Sequence, residues 1–133
     1  MRFISFREKA VVIAVLVLVS AVLALLLDAF HAEAGSIILT ILQALGWYLA
    51  SRLFRGPGES VRAARPWWRM TNRPLLSGVL AAVYGLVAVV NIGFSFAGWG
   101  SLSGTVSIIA ELALAALFTL SYSRLSSLAR ATA

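Results

Sequence analysis

The chain has 133 residues, 61% of them hydrophobic and only 12% charged. A soluble domain of this size cannot enclose so much apolar surface, which excludes an ordinary globular fold and makes lipid the expected solvent. The net charge of +6 fits the basic flanks of membrane segments, so the bilayer and its anionic lipids are expected partners and nucleic acid is not. There is no cysteine, and His31 is the single histidine; disulfides, thiolate metal sites and CxxC redox chemistry are excluded, and no metal or cofactor is expected.

Residues 10–27 form an unbroken apolar run in which Ser20 is the one polar member. A basic start, this run and Ala32-Glu33-Ala34 resemble a signal peptide, but the run exceeds the usual h-region and is read as a first membrane span. Residues 28–35 carry Asp28, His31 and Glu33 but no Lys or Arg, as suits a tight external turn. A second span over residues 36–54 contains Thr40, Gln43 and Tyr48.

Gly56-Pro57-Gly58 ends that helix, because Gly and Pro cannot continue it comfortably. On a helical wheel of the following residues, Arg62, Arg65, Arg69 and Arg73 share one face, with Val61, Ala64, Trp67, Trp68 and Met70 over most of the rest. The spacing predicts an amphipathic segment in the headgroup layer, with Arg62, Arg65, Trp67, Trp68, Arg69 and Arg73 meeting anionic lipid. Pro66 argues for a turn and then a short helix starting near it.

A third span covers residues 75–97. Ser77, Ala81, Gly85, Gly93 and Ala97 recur along it at four-residue spacing, a small-residue stripe that lets helices approach closely. Tyr84, Ala88, Asn91 and Ser95 mark an adjacent polar face. Residues 98–101 form an uncharged turn with Trp99 as interfacial anchor, and the fourth span, 102–122, contains Glu111. Each span approaches the ~20 residues needed to cross a bilayer, and backbone groups in lipid must bond internally, so all four are expected to be helices.

With four spans, all 11 basic residues fall on one face: Arg2, Arg7 and Lys9 at the start, six arginines around the linker 55–74, then Arg124 and Arg130. The positive-inside rule makes that face cytoplasmic. The expected fold is therefore all-α: one integral membrane domain over residues 1–133, an up-down four-helix bundle with both termini inside, in the plasma membrane.

Glu111 lies about nine residues, or ~13 Å, below the outer start of its span. An ionisable group at that depth must face protein or water, or be protonated. Gln43, Asn91 and Ser20 fall at similar depths, so with Tyr84 they predict one polar layer in which Glu111 accepts from the Gln43 or Asn91 amide. Three roles suit it: a proton or cation site, a protonated clasp between helices, or a contact with a partner protein. No catalytic motif accompanies it: there is no G-x-S-x-G, H-E-x-x-H or phosphate-cradling loop. The sequence therefore points to a non-catalytic membrane protein acting through helix–helix contacts as an accessory or scaffold subunit, with other subunits or its own copies as partners. The alternative is a small oligomeric transporter or channel built on Glu111, Gln43 and Asn91.

Overall fold

The computed structural model describes residues 6–55, 59 and 65–131. Four helices account for most of them: α1 (Phe6–Ala29), α2 (Glu33–Leu53), α3 (Pro74–Phe94) and α4 (Leu102–Ala131). Each is long and apolar enough to cross a membrane.

The helix ends follow from local chemistry. Past α1, Ala32 N–H donates to Leu27 O and His31 N–H to Asp28 O, the paired bonds of a Schellman cap. His31 occupies its left-handed position with φ 50°. Gly35 lies so close to α1 that an added Cβ would sit 2.5 Å from the Leu27 Cδ2 atom. The turn is thus tighter than residues 28–35, and α2 begins at Glu33. Arg73 is extended (φ −120°, ψ 130°) and Pro74 opens α3, as the ring's fixed φ favours. At its far end α3 widens into a π turn over Ser95–Trp99 that stops at Gly98, φ 91°, where a side chain would be strained. The α4 helix runs to Ala131, beyond the expected end at 122, because Ser123–Ala131 contains no Gly or Pro to break it.

The helices pack as a row rather than a closed square: α3 against α4, α4 against α2, α2 against α1. The α3/α4 contact alternates steps of three and four residues. Leu114, Phe118, Ser121 and Leu125 are buried on α4, in phase with Glu111 and Ser107; Ser77 and Ala88 are buried on α3, in phase with Tyr84 and Asn91. That spacing keeps a seam on one side of a helix of 3.6 residues per turn. A strict four-residue stripe drifts by about 40° per step instead. The small-residue stripe accordingly divides. Ser77 and Ala81 face inward, whereas Gly93 and Ala97 are exposed and a Cβ at Gly85 or Gly93 would meet nothing within 4 Å.

Between α2, α3 and α4 sits a residue of the linker. Met70, 1% exposed, forms the core with Leu114 and Phe118, flanked by Ala44, Tyr48, Leu80, Ala81, Tyr84 and Leu117. The expected short helix starting near Pro66 is not formed. Arg69 N–H closes a single turn on Pro66 O, and the chain then stays non-helical, which lets Met70 reach inward while its N–H donates to the Ser121 Oγ at 3.1 Å. Arg62 and the rest of residues 60–64 lie outside the described residues. Met70→Ala should cost about 2–5 kcal/mol through lost burial and the cavity left behind. Thermal unfolding in detergent checks this; a change under about 0.5 kcal/mol would mean the linker does not hold this seat.

Candidate functional site

The polar groups fall into three levels along the molecule. At one end stand Asp28 in the last turn of α1, His31 in the connecting turn and Glu33 at the start of α2. The Glu33 carboxylate reaches from the start of α2 to the start of α4, where its Oε1 accepts the N–H groups of Leu102 (3.0 Å) and Ser103 (3.4 Å). Ser101 Oγ caps the Gly104 N–H at 3.0 Å. An anion suits these otherwise unsatisfied donors and the positive end of the helix dipole.

The middle level holds Glu111. Asn91 of α3 donates through Nδ2 to both Glu111 oxygens, at 2.9 and 3.0 Å. One turn nearer the Glu33 end, Thr40 of α2 meets Ser107 of α4 at 3.4 Å. Beside this pair opens a vestibule of about 310 Å³ lined by Asn91, Phe94, Ser95, Trp99, Gly104 and Ser107. Phe94 and Trp99 stack at its rim, centroids 5.5 Å apart. On the other side of Glu111, Tyr84 stacks on Phe118 at 5.8 Å, and the Met70 core follows.

The expected polar layer is thus brought together in part. Asn91 reaches Glu111, whereas the ring contact of Tyr84 is with Phe118. No hydrogen bond joins Gln43 to Glu111 among the described residues; the polar link from α2 comes from Thr40 instead. Ser20 stands on α1, which packs along α2 and has no comparable contact with α3 or α4.

The third level is the basic end. Below Met70 a buried hydroxyl chain joins the linker to both long helices: Thr71 Oγ1 to Ser77 Oγ at 2.7 Å, and Ser77 Oγ to Ser121 Oγ at 3.0 Å. Arg65, expected at the headgroups, is turned inward and only 4% exposed. Its Nε and Nη2 fork onto the Glu59 carboxylate at 2.9 and 2.5 Å, and its Nη1 donates to the carbonyls of Ser51 (2.6 Å) and Met70 (3.1 Å). Arg55 also pairs with Glu59, at 3.2 Å. Arg52 donates to the Arg65 carbonyl at 2.5 Å and to the Tyr48 hydroxyl at 2.8 Å, and Lys9 Nζ donates to the Arg55 carbonyl. Glu59 gave no sequence signal beyond one acid among arginines. Such a guanidinium–carboxylate fork is the strong form of ion pair, and buried it must be complete.

The remaining headgroup candidates lie outside this lock. Trp67 is 57% exposed, Arg73 is exposed, and Trp68 lies under the Arg124 guanidinium at 5.3 Å. No cluster of His, Cys, Asp and Glu among the described residues has a metal-holding arrangement. No protein-family model, curated protein or solved structure matches the chain.

Proposed function

We propose that the chain is an up-down integral membrane protein that passes protons or small cations by way of Glu111. The cytoplasmic face holds both termini and the arginine-rich linker, following the positive-inside rule. Contacts that pair Ser77 with Ser121 and Asn91 with Glu111 support α3 and α4 running antiparallel. Thr40 beside Ser107 and Tyr48 beside the Leu114–Phe118 core support α2 running the same way as α4.

The observation that carries this reading is the one-sided setting of the carboxylate. Toward the Glu33 end, the vestibule is lined by Asn91, Ser95 and Ser107, and Asn91 in turn holds the Glu111 carboxylate. Toward the basic end, Tyr84, Phe118 and Met70 close the path. Asn91 uses one lone-pair site on each Glu111 oxygen, and a carboxylate has about four, so two stay available to a proton or a hard cation. Isolated membrane carboxylates commonly serve this purpose. Because the vestibule is lined by α3, its π turn and α4 alone and the Met70 core lies beyond Glu111, passage requires the Met70 seat to shift or copies of the chain to assemble. Proteoliposomes given opposing proton, sodium and potassium gradients test the reading. Glu111-dependent flux of one of them is expected; flux no greater than in empty liposomes for all three would refute it.

A second reading, an accessory or scaffold subunit, has one observation in its favour: the Gly85 and Gly93 positions of α3 are open to close approach by another helix. The exposed apolar surface of α1 adds nothing, since lipid covers it equally well. Native mass spectrometry of gently extracted protein would show a stoichiometric partner under this reading, and a homo-oligomer without partners under the first.

A further inference from the structure

The arginines at the basic end sort into two groups by what they touch. Arg52, Arg55 and Arg65 are engaged by Glu59, by Tyr48 and by backbone carbonyls. Arg69, Arg73 and Arg124 form no salt bridge among the described residues. Arg69 gives one Nη2 bond to the neutral Asn72 amide oxygen at 2.6 Å, and its Nε is enclosed with no acceptor among the described residues. Arg73 is exposed at the start of α3, while Arg124 lies over the Trp68 ring.

These three stand at the same end of the molecule. The Ser77–Ser121 bond sets the first turns of α3 level with the part of α4 just before Arg124. The Arg124–Trp68 contact then ties α4 to the turn that Arg69 closes. A guanidinium resting on an aromatic face keeps its charge and presents its N–H edges outward.

We propose that Arg69, Arg73 and Arg124, with Trp67 and Trp68, bind the phosphate of an anionic phospholipid headgroup. Guanidiniums with no carboxylate partner among the described residues can give phosphate oxygens charge-assisted, bidentate bonds. A half-exposed Trp67 supplies the amphipathic ring that suits the headgroup layer. The chemistry recognised is a phosphodiester, so a soluble phosphate is the competing source. The site rests on the membrane reading above but is independent of Glu111, so its failure leaves the flux experiment untouched.

Native mass spectrometry of the detergent-solubilised protein, titrated with phosphatidylglycerol or phosphatidylcholine, tests it. Wild type should retain phosphatidylglycerol preferentially, and Arg73→Gln and Arg124→Gln should each weaken that retention about fivefold. Arg7→Gln and Arg130→Gln remove the same charge from exposed positions elsewhere and should leave it unchanged. Arg124→Lys keeps the charge and guards against loss of fold as the cause; it should bind better than Arg124→Gln. Equal weakening by all four Gln variants would show diffuse attraction and overturn the site. Displacement of the lipid by millimolar inorganic phosphate would reassign it to a soluble ligand.

Discussion

Replacing Glu111 by Gln should abolish cation flux in proteoliposomes while leaving the protein folded. The two effects separate because Gln keeps the shape of the side chain and its carbonyl still accepts from the Asn91 Nδ2 atom, which now bonds both carboxylate oxygens. A hydrogen bond of this kind between membrane helices contributes only ~0.6–2 kcal/mol. The loss in thermal stability on weakening it should therefore stay below about 1 kcal/mol, and a neutral residue at that depth removes a desolvation cost. What Gln lacks is the negative charge and the exchangeable proton. Flux should drop to the level of empty liposomes with helical content unchanged. Asn91→Leu should act differently: it strips the carboxylate of its one donor among the described residues and should lower flux without abolishing it. If Glu111→Gln carried wild-type flux, Glu111 would be a clasp between α3 and α4 and nothing more.

The second large effect belongs to Arg65. Arg65→Ala should destabilise the protein by about 3–5 kcal/mol, the cost of breaking a buried pair from one side. Among the described residues, the substitution leaves Glu59 paired with Arg55, and it removes the Arg65 donor from the carbonyls of Ser51 and Met70. Since the Met70 carbonyl is one of those acceptors, the core seat of Met70 should loosen along with the ion pair. Arg65→Lys should recover little, because a point charge cannot make the two-pronged contact with Glu59 while also reaching two carbonyls. Arg73→Ala, at an exposed site, should stay within about 0.5 kcal/mol. Thermal unfolding in detergent reads all three. Equal, small shifts would show that the linker lies loosely on the surface and that its arginines are interchangeable.

The four apolar helices are legible in the sequence because run length and hydropathy are local properties that lipid makes decisive. Glu111 is legible for a related reason: a charge within such a run is costly and must have a partner. Depth alone placed Asn91 near it. Depth could not separate Asn91 from Gln43 or Ser20, because level is set by residue count whereas contact depends on the rotation of each helix and on which helices adjoin. Ser20 is at the right level on a helix that packs chiefly along α2. The small-residue stripe shows the same limit. Its four-residue spacing is conspicuous in sequence, yet the seam follows the three-four alternation through Tyr84, Ala88 and Asn91.

The basic end was the least legible part. A helical wheel of the linker groups Arg65 with Arg69 and Arg73, but Pro66 and the turn after it remove the helix that the wheel assumes. Freed from that geometry, Arg65 turns in and Met70 becomes core. A single Met among arginines and tryptophans carries no periodic signal. Likewise, Glu33 looks like an external loop acid, and only the approach of α4 makes it the cap of that helix.

The central claim is that Glu111 is reached by water from the face opposite the arginines and is sealed from the arginine side. The chain has no cysteine, so single-cysteine variants can be labelled without background. Ser95 lines the vestibule beside Asn91, and Ser127 is exposed near the end of α4. In oriented membrane vesicles, a small charged thiol reagent should label Ser95→Cys from the external side alone and Ser127→Cys from the cytoplasmic side alone. Labelling of Ser95→Cys only from the cytoplasmic side, or from neither, would contradict the account.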